Sequence, residues 1–102
     1  MAQPGETTYT TEETSARDKL VPQYWVIMHN DPVTTMDFVV SILMRVLGHD
    51  IKTAVNLMLS IHHGGMERVA LMPLERAEFK VEAIHTSARA HGFPLTCTIE
   101  PD

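Results

Sequence analysis

What this chain has little of restricts it before any motif is read. A single cysteine, Cys97, among 102 residues excludes an internal disulfide framework and fits a reducing compartment. Basic residues are few: 8 Lys and Arg against 13 Asp and Glu give a net charge of −5. With no Lys/Arg cluster to meet phosphates, general nucleic-acid binding is not expected, and an acidic surface favours cationic or neutral partners. No apolar run reaches the roughly 18 residues of a membrane span, and no basic-then-apolar leader opens the chain. No membrane partner is expected, and the expected location is the cytoplasm.

Chemistry-bearing motifs are also missing. There is no Gly-rich phosphate loop and no nucleophile elbow, and Cys97 has no partner base. In LTCTI it shares the inward parity of Leu95 and Ile99, which predicts a buried structural thiol. Six histidines invite a metal hypothesis, but none pair at i, i+4, and His62 and His63 point about 100° apart on a helix. Neither an enzyme nor a metal or other cofactor is expected.

What is present is one domain's worth of sequence, with a globular 44% hydrophobic content. Residues 1–21 are polar and aperiodic and are expected to form a flexible N-terminal extension, leaving residues 22–102 as the folded core. QYWVIMH is β-branched, aromatic and nearly all apolar, which suggests a central strand or one covered on both faces. Met36, Val39, Leu43, Val46 and Leu47 then follow helical spacing up to Gly48. Asp50 can cap a second helix in which Ile51, Val55, Met58 and His62 form a stripe, stopped by the glycine pair 64–65.

MERVALM is a short strand candidate, with helix not excluded by so few residues. Pro73 suits the first turn of a third helix striped by Leu74, Ala77, Val81, Ile84 and Ala88, and LTCTI closes the domain as a strand. The order β-α-α-β-α-β predicts an α+β fold: a small sandwich with three helices on one face of a three-stranded antiparallel sheet.

The stretch HNDPVTTMDF holds more polar groups than a helix start requires. Thr34 with Asp37 reads as a capping box, and Pro32 keeps Asp31 out of helical geometry. Asn30 and Asp31 are then spare, free either to close an Asx turn on their own backbone or to bind something. Packing Met36 and Val39 against Met58 leaves an apolar cup rimmed by the Asn30 amide, the Asp31 carboxylate and the His62 imidazole. Such a cup fits a cation attached to an apolar group.

Three stretches, VIMHNDPVTTMDFVVSIL, AVNLMLSIHHGG and HGFPLTCTIEPD, together resemble the ClpS family, bacterial adaptors of the N-end rule, from about Tyr24 to Glu100. The resemblance implies a fold like the C-terminal domain of the ribosomal stalk protein. It implies delivery of N-degron substrates to a Clp-family AAA+ unfoldase of the ClpA or ClpC type, which engages the N-terminal extension.

By position, Asn30, Asp31 and His62 match residues that hold the substrate's free α-amino group and first peptide unit. Met36 matches the gate of the side-chain pocket, and Ile27, Val39, Met58, Ile61 and Leu95 its apolar surroundings. Glu75 and Lys80 match positions facing the unfoldase. The chain departs from the commoner pattern at Pro32, Val33 and Thr35, and has His63 where Tyr is frequent. The alternative is a docking module of the same fold that reads no N-terminus.

Overall fold

Residues Gln23–His29 form strand β1, and the strand is central because both of its hydrogen-bonding edges are used. Strands β2 (Met66–Pro73) and β3 (Thr96–Pro101) flank it antiparallel, in the order β2-β1-β3. The computed structural model describes residues 20–102. The expected N-terminal extension, 1–21, lies outside them except for Leu20 and Val21, both exposed. Val26 and Met28 are fully buried on the core side of the sheet. Val26 pairs with Ala70 and Ile27 with Arg68, so Val69 is the extra residue of a β-bulge. Opposite the helices, the Arg68 guanidinium lies 5.2 Å from the Trp25 ring centroid.

Helix α1 spans Met36–Arg45. Its cap is Thr35, whose hydroxyl accepts the Phe38 N–H at 3.2 Å, and not Thr34 as the sequence predicts. The reason is local: Asp31 binds both the N–H and the hydroxyl of Thr34 and keeps that residue in the loop. The helix ends before Gly48, whose left-handed φ of 76° lets the N–H groups of Gly48 and His49 meet the carbonyls of Met44 and Leu43.

Helix α2 spans Ile51–Gly64, capped by the Asp50 carboxylate on Thr53 N–H at 2.8 Å and stopped by Gly65 at φ 89°. The helix packs on α1 and β2. Its most buried line is Ala54 and Ile61, with Leu57 and Met58 half-buried, so the predicted stripe from Ile51 to His62 runs along the margin. His62 is therefore exposed, not on the buried face.

Helix α3, Leu74–Ala90, lies across all three strands through Ala77, Ile84 and Ala88. Pro73 ends β2 and immediately precedes the first helical residue. One Arg89 guanidinium nitrogen donates to the carbonyls of Phe93 (2.9 Å) and Leu95 (2.8 Å), fixing the return to β3. Phe38 packs edge-on to Phe93 at 5.0 Å between centroids, so the start of α1 rests on the same turn. The sheet therefore carries all three helices on one face, as predicted. Cys97 is buried, and desolvation pushes its thiol up to about 12, which makes it unreactive.

His85 reports on the α3–β3 junction. Its Nε2 accepts the Cys97 N–H at 2.9 Å. Burial, with the nearby Arg89 charge, holds its pKa below the ordinary 6.5. The neutral ring is the form that fits, so its contribution to stability is full above the unfolded value of 6.5 and is lost as pH falls through the lower folded value. His85→Gln keeps an acceptor but does not titrate. Thermal midpoints measured below about pH 6.5 should decline less steeply for this variant than for the parent; parallel profiles would show that His85 does not couple to folding.

Candidate functional site

The site begins where β1 ends. Asn30 donates its backbone N–H to the Gly65 carbonyl at 2.8 Å, tying the strand's exit to the end of α2. That bond sets the loop 30–35 beside the last turn of α2, which carries His62. The side chains of Asn30 and His62 make no hydrogen bond among the described residues, and the His62 ring lies 5.3 Å from that of His63 between centroids.

Asp31 shapes the loop. Its Oδ1 accepts the N–H groups of Val33 (2.8 Å) and Thr34 (2.7 Å), and its Oδ2 accepts the Thr34 hydroxyl at 2.7 Å. This is the Asx turn that the spacing allowed. A carboxylate offers about four acceptor positions. Three are filled, which leaves one free on Oδ2. Burial pushes the Asp31 carboxyl up, but the bonds from Thr34 and Val33 and the Arg89 charge outweigh it and bring the pKa below the ordinary 3.8. The group stays ionised at neutral pH.

Behind this rim is a cavity of about 390 Å³. Its walls are residues 30–35, Met36 and Val39 from α1, and Met58, Ile61 and His62 from α2. Val39 and Ile61 are buried members of the core, so the floor is apolar and rigid. Met36 is 44% exposed at the mouth, where an unbranched thioether can change rotamer.

Of the nine pocket and amine residues expected from the sequence, seven meet here: Asn30, Asp31, His62, Met36, Val39, Met58 and Ile61. Ile27 and Leu95 do not reach the wall. Ile27 alternates with the core-facing Val26 and Met28, so it borders a separate groove with Met66, Glu67, Arg68 and Glu100 on the helix-free side. Leu95, 1% exposed, is core beside the turn held by Arg89. Glu75 and Lys80 lie on α3, away from the cavity.

Pro32, Val33, Thr34 and Thr35 also line the cavity, a role not read from the sequence. An apolar Val33 in an otherwise polar loop was the one available signal. Arg89, which acts on Asp31 from α3, had none, because only the fold brings the two together. Among the described residues no group of three or more His, Cys, Asp or Glu could hold a metal ion, and no helix is long and apolar enough to cross a membrane. The arrangement provides acceptors, a carboxylate among them, around an apolar recess. It can hold a cation joined to an apolar side chain.

Residues 19–98 match the family model of the ATP-dependent Clp protease adaptor protein ClpS. The ATP-dependent Clp protease adapter protein ClpS of Desulfatibacillum aliphaticivorans is 43% identical over 77 residues, covering 76% of this chain and 74% of that one. Its counterpart from Desulforapulum autotrophicum is 40% identical over 93 residues, 91% and 89% of the two chains. Among solved structures, Agrobacterium tumefaciens ClpS2 bound to L-phenylalaninamide superposes with a TM-score of 0.77 at 30% identity, covering 79% of this chain and 98% of that one. A family match spanning most of the folded core, with relatives at this identity over most of their length, shows that the chain belongs to the ClpS family of Clp protease adaptors.

Proposed function

We propose that the chain captures proteins by a free N-terminal residue with a large apolar side chain (Phe, Leu, Tyr or Trp) and delivers them to a Clp AAA+ unfoldase of the ClpA or ClpC type. The observation that carries this is the convergence of Asn30, His62 and Asp31, the last with one acceptor position free, at the mouth of an apolar cavity. Phenylalaninamide, held by the structural neighbour, has the matching parts: an α-amine, an apolar ring, and an amide in place of the first peptide bond.

An α-amino group, with a pKa of about 7.7–8.0, is mostly protonated at neutral pH and needs acceptors. The free position on Asp31 Oδ2, the Asn30 carbonyl and a His62 ring nitrogen can supply them, while the Asn30 NH₂ can donate to the substrate's first carbonyl. Charge-assisted bonds contribute on the order of 1.5–3 kcal/mol each. Burying a Phe or Leu side chain adds roughly as much. These gains are set against an association cost of about 4–15 kcal/mol, so the ammonium bonds and the side-chain burial are both needed for binding. The adaptor reading involves no bond cleavage, so a Phe-initiated peptide should remain intact in its presence.

Asp31 must be tested with its structural role in mind. Asp31→Asn retains an oxygen for the Val33 and Thr34 N–H groups but loses the charge. It should leave the thermal midpoint nearly unchanged while weakening a Leu-initiated peptide by about 30-fold or more, the scale of removing one partner of a desolvated charge pair. Asp31→Ala should lower both stability and affinity. Wild-type affinity for Asp31→Asn in fluorescence anisotropy, or undiminished binding of an N-acetylated peptide, would favour a docking module that reads no N-terminus.

Met36 at the cavity mouth is proposed as the gate. β-branched Ile and Val are wide near Cβ and stiff at χ1, so Met36→Ala should admit Ile- and Val-initiated peptides while retaining Phe. Loss of Phe affinity without a gain for Ile would make Met36 a wall and not a gate.

The N-terminal extension is proposed to serve delivery. Deleting residues 2–19 should leave peptide affinity within about twofold, a few tenths of a kcal/mol. The same deletion should stop degradation of a Phe-initiated reporter by the cognate Clp protease. Undiminished degradation would show that the core alone delivers substrate.

A further inference from the structure

The face of the sheet away from the helices carries an apolar strip between charges of opposite sign. Alternation along β1 puts Trp25 and Ile27 on this face, since Val26 and Met28 point into the core. Pairing register adds Leu71 and Arg68 from β2 and Thr98 and Glu100 from β3. Met66, 55% exposed, and Leu71, 40% exposed, extend the apolar surface of Trp25 and Ile27. Contiguous apolar surface rimmed by polar groups marks a contact site, and Trp, Met and Arg are the residue types that interfaces favour.

The charges lie on opposite sides of β1. Arg68, on β2, holds its guanidinium over the Trp25 ring. Glu100 and Asp102 lie on the β3 side, where the Asp102 carboxylate accepts the Trp25 indole N–H at 2.8 Å. Glu67, next to Arg68, turns one oxygen back onto the Arg68 N–H at 3.0 Å. Arg68 and Glu100 border one groove around Ile27, and neither makes an ion pair within the chain among the described residues.

A two-fold axis along β1 stacks two such sheets face to face, in the aligned manner of sheet packing. It lays β2 of one copy over β3 of the other, so the basic flank of each copy meets the acidic flank of its mate. An axis across the strands would lay β2 over β2 and β3 over β3, setting like charges together. A uniformly basic partner would meet Arg68, and a uniformly acidic one Glu100. A second copy bears both signs in the order the face requires.

We propose that the helix-free face of the sheet joins two copies of this chain in an isologous dimer, with Arg68 of each paired to Glu100 of the other around the Trp25 and Ile27 strip. The cavity lined by α1, α2 and the loop 30–35 is not part of this face, so it stays open in both copies.

The test is sedimentation velocity of the full chain from about 10 µM to about 1 mM. The average mass should rise from 11.4 kDa toward twice that value. Trp25 is the sole tryptophan, so its emission should move to shorter wavelength over the same range. Arg68→Glu and Glu100→Arg should each raise the dimer dissociation constant by about tenfold or more, because each sets like charges together. Combining them reverses both signs and should return association to within a few-fold of the parent. Leu71→Asp, which puts a charge into the apolar strip, should keep the chain monomeric. Glu100→Arg leaves the contact between Arg68 and Trp25 untouched, so it carries the charge test if Arg68→Glu lowers the thermal midpoint.

A single 11.4 kDa species at every concentration would overturn the proposal. Association that Arg68→Glu, Glu100→Arg and Leu71→Asp all leave unchanged would assign the contact to another surface and overturn it equally. Charge variants that keep the parent's thermal midpoint yet stay monomeric when combined would overturn the pairing of Arg68 with Glu100.

Discussion

The hydrogen bond from Asn30 N–H to the Gly65 carbonyl, 2.8 Å long, joins two segments that the chain separates by the whole of α1 and α2. It forms where the central strand stops and the second helix turns into β2. Gly65 adopts a left-handed φ of 89°, which a side chain would strain although no atom lies within 4 Å of an added Cβ. Conformation, not space, demands glycine here. Through this junction the loop 30–35 and the last turn of α2 become opposite sides of one cavity mouth. The core supports the same geometry from below, since Val39 and Ile61 belong both to the buried cluster and to the cavity floor.

Asp31 serves two demands on one carboxylate. Three donors from Val33 and Thr34 hold it in place, so its orientation is fixed before any ligand arrives. Fixing the group in advance lowers the ordering cost that binding would otherwise carry. The same donors, helped by Arg89, keep it charged. A loop residue usually yields orientation to solvent; this one is braced by its neighbours.

The cavity and the exposed side of α3 are built on different supports. The first depends on the α1–α2 pair and the end of β1; the second is the solvent side of a helix anchored across the sheet by Ala77, Ile84 and Ala88. Under the proposed function, this separation lets the cavity hold a substrate while another surface meets the protease.

The sequence by itself determined the element order, the caps at Asp50, Gly48 and Gly65, the central position of β1 and the inert Cys97. These follow from local rules: period, capping chemistry and apolar run length act within a few residues. It also marked Asn30 and Asp31 as surplus polar groups. Tertiary structure decided what local rules cannot see. The cap moved from Thr34 to Thr35 because Asp31 claimed Thr34 first. His62 came to lie on the exposed margin because α2 packs through Ala54 and Ile61. Ile27 was turned to the helix-free side and Leu95 into the core by strand parity and by the turn that Arg89 holds. Arg89 reached Asp31 only because α3 crosses the sheet. Contacts between residues far apart in the chain depend on how elements pack, and no window of sequence contains both partners.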